Sequence, residues 1–329
     1  MIHSDLISIV VSAHNEESRL SCCLESIRIQ SYDNLEILLI DDGSTDNTAM
    51  ILDDFAQKDP RARVIHQPNK GLWAARNRGL SEANGKYIMF PDADDYFHKD
   101  TLSLLHSAIT IDGKDFPLAI CDVKMTTRHD EDIYSNQSLR YQYLCQDDLF
   151  AILFSDGPRE LIGKPNWNKL YRIDSLPSPF QKSYIRAQDW DSNMRLYTII
   201  CEAIYVENTL YFYYQHANQL TRTNDYWELR FDCETSMLHD NYLDLPLSCK
   251  QYSHYYLDKL YRRMIIWNAK RKLYSDPDLI LRKCRKYEKD TIEGLLKNNT
   301  IPLHKKIIYF FLLRFSGLTK LLLKLSNNL

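Results

Sequence analysis

Residues 35–44, LEILLIDDGS, decide how the rest of the chain is read. A near-continuous aliphatic run stops abruptly at two carboxylates, a glycine and a serine. The run is too short for a helix and has no polar alternation, which fits a strand buried on both faces. The same form recurs on either side. Leu6 to Ala13 (LISIVVSA) ends in His14-Asn15-Glu16, and Lys86 to Phe90 (KYIMF) ends in Pro91-Asp92-Ala93-Asp94-Asp95. Between these runs the period changes. Ser18 to Gln30 places Leu20, Leu24 and Ile27 on one helical face. A second helix carries Met50, Ile51 and Phe55, with Ser44 or Asp46 able to cap it. Ala62 to His66 is a short third strand, and Leu72 to Ala83 is helical. This β-α-β alternation predicts a parallel sheet with helices on both faces. In such sheets ligands bind beyond the carboxyl ends of the strands, so the residues just after each strand carry the functional reading.

Working outward, residues 115–224 mix strands (Leu118 to Val123, Ala203 to Val206, Leu210 to Tyr214) with helices near Asp147 to Phe154 and Ala187 to Ile199. The last hundred residues have helical spacing, clearest in Tyr252 to Leu273 and Pro302 to Leu325. We expect a catalytic domain over 1–224 and a helical region over 225–329. No internal repeat or low-complexity linker is visible, and a hydrophobic content of 44% is ample for a core.

The net charge of −3 hides a division. Residues 250–329 hold 18 Lys and Arg against 6 Asp and Glu, while residues 1–249 hold 23 against 38. An acidic body with a basic end expects an anionic contact at that end. None of the 8 cysteines forms a C-x-x-C pair or has a histidine at zinc spacing, so reduced thiols in a cytoplasmic protein are expected. The first residues run straight into a strand pattern, and no secretory leader is expected.

Carboxylates gathered at adjacent strand ends repel one another unless a cation or hydrogen-bond donors sit among them. Asp92 and Asp94, two residues apart on a turn, are suited to share one hard divalent ion, Mn²⁺ or Mg²⁺. Such an ion would neutralise a diphosphate leaving group. Lys70 and Arg76, before and within the helix that starts near Leu72, would bring positive charge to phosphates.

Taken together, SIVVSAHNEE, LEILLIDDGSTDNT, NKGLWAARNRGL and GKYIMFPDADD resemble family 2 of the inverting glycosyltransferases with the GT-A fold. The likeness is specific over the first hundred residues. It continues more weakly through Asn168-Lys169-Leu170-Tyr171, Gln188-Asp189-Trp190 and Tyr214-Gln215-His216. The resemblance implies that Asp42 accepts the N3–H of a uracil ring and that Ser12, His14 and Glu16 contact the base. It implies that Arg76 reaches the base or phosphates, Asp92 lies near ribose and metal, and Asp94 is the main metal ligand. The family commonly has Pro and Tyr where this chain has Ser12 and His14. Asp189 matches the family's catalytic base, in Gln188-Asp189 where the family usually has Glu-Asp. Trp190 and Trp167 are candidates for an acceptor sugar's apolar face, with core packing as the alternative. His216 is a candidate for contact with the diphosphate or metal.

One base and a metal-assisted leaving group fit a single displacement with inversion. The expected reaction moves a hexose or N-acetylhexosamine from a UDP-sugar to a hydroxyl of a glycan or glycolipid acceptor. A nucleotidyltransferase making sugar nucleotides is a rival. It should carry a Gly-rich basic loop after the first strand, where this chain has His14-Asn15-Glu16-Glu17. An idle membrane-attached scaffold is another, against which Asp42, Asp92, Asp94 and Asp189 stand together.

Residues 302–325, plotted as a helix, put Lys305, Lys306, Arg314, Lys320 and Lys324 on one half. Ile307, Ile308, Phe311, Phe315, Leu318, Leu322 and Leu325 fill the other. No apolar run is long enough to span a bilayer, so this helix is expected to lie on an anionic membrane surface, at the inner face of the cell membrane. Arg282-Lys283-Cys284-Arg285-Lys286 would add lipid attraction. The acidic body offers no second basic surface, and nucleic acid is not expected as a partner.

Overall fold

The computed structural model describes residues 5–128, 132–155, 160–183 and 188–216, together with Cys233, Met237 and Leu245. The chain divides into two compact units, Met1–Thr223 and Asn224–Leu329. The amphipathic segment 302–325 and the basic cluster 282–286 lie outside the described residues.

The first unit is a mixed α/β domain. Its elements in chain order begin with strand β1 (Ile7–Ala13), helix α1 (Leu20–Arg28), β2 (Leu35–Asp42), α2 (Thr48–Lys58), β3 (Ala62–Gln67), α3 (Leu72–Glu82) and β4 (Tyr87–Met89). They continue with β5 (Tyr96–Phe97), α4 (Thr101–Ile109), β6 (Leu118–Thr126), β7 (Tyr141–Cys145), α5 (Gln146–Leu153), α6 (Glu160–Gly163), β8 (Lys169–Arg172), α7 (Gln188–Ile199) and β9 (Glu202–Tyr214). The sheet order is β3-β2-β1-β4-β8-β6-β9-β5, with β7 paired to β9. The amino-terminal half of the sheet, β3-β2-β1-β4, is parallel throughout, as the alternation predicts. Beyond it, β8 runs antiparallel to both β4 and β6.

The aliphatic runs form the centre of the core. Ile7, Ile9, Val10, Val11, Ile37, Leu38, Leu39 and Ile40 are all 0% exposed. Each such side chain contributes about 1.5–3 kcal/mol through burial. Helix α3 lies close on this sheet because of Gly79. A Cβ there would come within 2.2 Å of the Val10 side chain. That close approach brings the α3 side chains, Arg76 among them, down to the strand ends.

Several elements depart from the expected pattern. Ala203 to Val206 and Leu210 to Tyr214 are not two strands but one, β9, because a bulge absorbs the polar residues between them against β6. β7 and β8 are short and carry charges or isolated polar residues, which hides their period. The cap of α2 is indirect. Asp46 accepts the Thr48 backbone N–H at 2.9 Å from a position one residue before the helix boundary. Cys22, Cys23, Cys121, Cys145, Cys201 and Cys233 are free thiols.

Candidate active site

The loops after β1 and β2 are stitched to each other. Asn15 adopts a left-handed φ of 56°, which asparagine tolerates well, and its Oδ1 accepts the Thr45 N–H at 2.8 Å. His14 Nδ1 lies 2.9 Å from the Asp42 carbonyl oxygen, and the Glu16 N–H donates to Thr48 Oγ1 at 2.8 Å. Gly43 turns the chain at φ +68°, where a Cβ would lie 2.6 Å from the Asn69 nitrogen. These contacts press the segment before α3 against the end of β2.

Asp42 is the hub of that segment. Its Oδ1 accepts from Gln67 Nε2 at 2.7 Å and the Lys70 N–H at 2.9 Å, and its Oδ2 from the Gly71 N–H at 2.8 Å. The residue is 3% exposed. Three of its four lone-pair sites are therefore filled by protein, and it acts here as the anchor of the 67–71 loop. A groove of about 450 Å³ opens beside the loop, lined by His66, Gln67, Lys70, Trp73, Asn77 and Arg78 among others. Asp92, Asp94 and Asp189 are not among its lining residues.

A second cluster forms where β4 ends. Residue Ser12 of β1 bridges to Asp92, so the β4 turn lies directly against the end of β1. Carboxylate oxygens of Asp92, Asp94 and Asp95 lie within 4.8 Å of one another. His216, just beyond β9, sits with Nε2 3.0 Å from Asp94 Oδ2. The electrostatics record the crowding. Burial, and then Asp94 and Asp189, push the Asp92 carboxyl up to about 7 against the pull of Arg76. Burial and the charges of Asp94 and Asp92 hold Asp95 well above the usual carboxylate range. Glu16 is raised by burial and by Asp94.

Arg76 joins this cluster to Asp189. Its Nη2 donates to Asp92 Oδ1 and its Nη1 to Asp189 Oδ1, both at 2.5 Å, and its side chain is 1% exposed. Burial opposes the guanidinium charge, but Asp189 and Asp92 overcome it and raise its pKa. Both terminal nitrogens of the Arg76 fork are occupied by carboxylates that are themselves partly exposed, 27% for Asp92 and 26% for Asp189. Asp189, at the start of α7, also accepts from Gln181 Nε2 at 2.8 Å and Asn166 Nδ2 at 3.2 Å on Oδ1. Among the described residues, Oδ2 receives only the Asn166 backbone N–H, at 3.2 Å. One oxygen is saturated with donors and the other is left with capacity to take a proton.

Asp92, Asp94, Asp189, His216, Glu16 and Arg76 thus converge. Asp42, His14 and Lys70 form the adjoining group on β2 and the loop before α3. The two tryptophans are core residues. Trp190 is 2% exposed, with its Nε1–H on the Leu153 carbonyl at 3.3 Å and its ring edge-on to Phe154. Trp167 is 4% exposed and stacks with Tyr211 at 4.4 Å. Burial leaves neither ring a face for an acceptor sugar, which corrects that expectation. Asp95, Asn166 and Gln181 are part of the site and carry no motif by which the sequence would single them out, beyond Asp95's place in the acidic turn.

The side chains that could hold a cation are Asp92, Asp94 and Asp95, with His216 beside them. A divalent ion fits this set on an internal observation: among the described residues, Asp95 Oδ2 and His216 Nδ1 are buried atoms without a hydrogen-bond partner, among carboxylates that repel.

Comparison with known proteins places the chain in a family and a fold. The glycosyl transferase family 2 model matches residues 8–158. GlyG, a glycosyltransferase of Streptococcus pneumoniae serotype 4, is 30% identical over 234 residues, which cover 67% of this chain and 74% of GlyG. EpsH of Bacillus subtilis strain 168, whose name assigns it to the glycosyltransferases, is 30% identical over 223 residues, or 66% of this chain. The chain spans 62% of the length of EpsH. Among solved structures, residues 1–349 of Staphylococcus aureus TarS in complex with UDP-GlcNAc superpose with a TM-score of 0.61 at 18% identity, covering 88% of this chain and 81% of that one.

Proposed function

The chain belongs to glycosyl transferase family 2, and from that premise we propose that it transfers a hexose or N-acetylhexosamine from a UDP-sugar to a hydroxyl of a glycan, with inversion at the anomeric carbon. The observation that carries this reading is the Arg76 fork, which binds the carboxylate cluster of the β4 turn to Asp189 in one assembly. Asp92 and Asp94, with Asp95 and His216 beside them, would hold Mn²⁺ or Mg²⁺. The ion supplies charge neutralisation for a diphosphate leaving group when bound. Asp189 is the base. Its Oδ1 is fixed by Arg76, Gln181 and Asn166, and Oδ2 takes the proton of the attacking hydroxyl. With Asp189 as base on the attacking hydroxyl and the diphosphate leaving from the metal side, the reaction is one displacement. The preference for UDP is supported by the UDP-GlcNAc complex of the TarS fold relative.

The acceptor is a lipid-linked glycan, and the basic amphipathic segment 302–325 holds the enzyme on the anionic inner face of the cell membrane. Among the described residues no helix is long and apolar enough to cross a membrane.

Thermal stabilisation by UDP-, GDP- and dTDP-sugars with Mn²⁺ tests the donor. A ligand at 100 times its Kd adds about 2.7 kcal/mol of stability. The UDP-sugars should stabilise, and stabilisation by GDP- or dTDP-sugars alone would overturn the assignment. Proton NMR of the product should show a β-linkage formed from an α-linked donor. An α-linked product would rule out single displacement.

A further inference from the structure

The stretch Asn168-Lys169-Leu170-Tyr171 buries a charge. Lys169, the first residue of β8, is 0% exposed. Its ammonium donates to three neutral oxygens: the Ile162 carbonyl at 2.8 Å, the Pro165 carbonyl, and Asn168 Oδ1 at 3.0 Å. Three acceptors match the three hydrogens of the charged form, one more than a neutral amine could donate. Burial pulls this ammonium down to about 7, against the negative charge of Asp189, which draws it up. An ammonium costs stability in such a place where an aliphatic side chain would not.

What the charge meets is the peptide between Pro165 and Asn166. The oxygen of that peptide accepts from Lys169, and its N–H donates to Asp189 Oδ2 at 3.2 Å. A single peptide unit therefore separates the buried cation from the base oxygen that takes the proton. A cation at the carbonyl end polarises the unit and strengthens the donor at its other end. The rest of the turn is held to match. Asn193 on α7 donates to the carbonyls of Lys164 at 2.8 Å and Pro165 at 3.1 Å. The Tyr171 hydroxyl donates to Asn166 Oδ1 at 2.9 Å, which turns the amide so that Nδ2 meets Asp189 Oδ1 at 3.2 Å. Asn166, itself 0% exposed, grips both oxygens of the carboxylate.

Resting on the sugar-transfer reading above, we propose that Lys169 is a positioning residue for the base: acting through the Pro165–Asn166 peptide, its ammonium fixes the plane of the Asp189 carboxylate and aims the open side of Oδ2 at the attacking hydroxyl. Lys169 is too deep to touch a substrate and acts only through that peptide. Its loss loosens the donor on Oδ2 and leaves the carboxylates of the β4 turn, on the other arm of Arg76, in place. The defect then falls on the chemical step and spares donor binding.

The test separates these two. The full chain is assayed with Mn²⁺ and the fastest-cleaved of UDP-glucose, UDP-galactose and UDP-N-acetylglucosamine. Release of UDP is followed, with water standing in for the acceptor hydroxyl. Calorimetric titration with UDP and Mn²⁺ counts the folded sites, so turnover is expressed per site and misfolded protein drops out. Lys169→Met should lose about 10-fold or more in kcat per site, with KM and the Kd for UDP within about 3-fold of wild type. A loss in kcat per site under about 10-fold would leave Lys169 a structural residue and overturn the inference, with the sugar-transfer reading standing. A loss shared equally between kcat and UDP affinity would do the same. A wild-type protein that cleaves none of the three donors would overturn that reading, and this inference with it. If Lys169→Met binds no UDP, Lys169→Gln, which removes the charge but still offers amide hydrogens to the carbonyls, is judged by the same split.

Discussion

Replacing Arg76 with methionine should destabilise the domain, and the size follows from the geometry. The guanidinium is 1% exposed and donates at 2.5 Å to both Asp92 and Asp189. Methionine fills much of the volume but leaves two carboxylates facing each other without a cation. Breaking a buried pair from one side costs about 3–5 kcal/mol. The two carboxylates are 27% and 26% exposed, so water offsets part of the loss. We therefore expect about 3 kcal/mol, which for a unit of this length lowers the melting midpoint by about 6–12 °C. Arg76→Lys keeps the charge but not the fork and should fall between wild type and methionine. The deficit should shrink in acid, where protonation removes the unpaired negative charges. Calorimetry or urea unfolding of the full chain measures it. A midpoint for Arg76→Met within about 1 °C of wild type would refute the placement of the guanidinium between these carboxylates.

The raised Asp92 carboxyl gives a linked pH dependence. Between about pH 4 and pH 7 the folded state holds a proton that the unfolded chain has released, so stability should fall as pH rises through that window. Mn²⁺ competes with that proton, and its stabilisation should be larger at about pH 8 than at about pH 5; an equal effect at both would detach the metal from Asp92. Trp167→Ala and Trp190→Ala should each cost about 3–5 kcal/mol in urea unfolding, as buried indoles do, and a cost below about 1 kcal/mol would contradict their core placement. Deleting residues 302–329 should release the protein from anionic liposomes, and continued co-sedimentation would reject the interfacial helix.

The amino-terminal half of the sheet was legible because its signal is local. LISIVVSA, LEILLI and KYIMF are aliphatic runs ending in polar clusters, and each became a parallel strand with its polar cluster at the carboxyl end. The second half was less legible because its strands owe their existence to partners far away. β8 is pinned between β4 and β6, and β7 exists only against β9. Arg76 is the instructive case. A cation beside a proposed phosphate site invites a phosphate contact, and only the folded arrangement shows that it bridges Asp92 and Asp189. Asn166 and Gln181 lie 23 and 8 residues before Asp189. No period or charge pattern links such amides to a carboxylate that tertiary folding alone brings within reach. The tryptophans failed for a related reason: aromatic rings near a motif serve packing and sugar binding alike, and the sequence does not state which faces are covered.

The central claim is that the β4 carboxylates and Asp189 serve one substrate in separate roles, and paired variants measure this most directly. UDP titrated calorimetrically with Mn²⁺ should give wild-type heat for Asp189→Asn and none for Asp94→Ala, while UDP-sugar turnover should be lost in both. Retained turnover in Asp189→Asn, or undiminished Mn²⁺-dependent UDP binding in Asp94→Ala, would contradict the account.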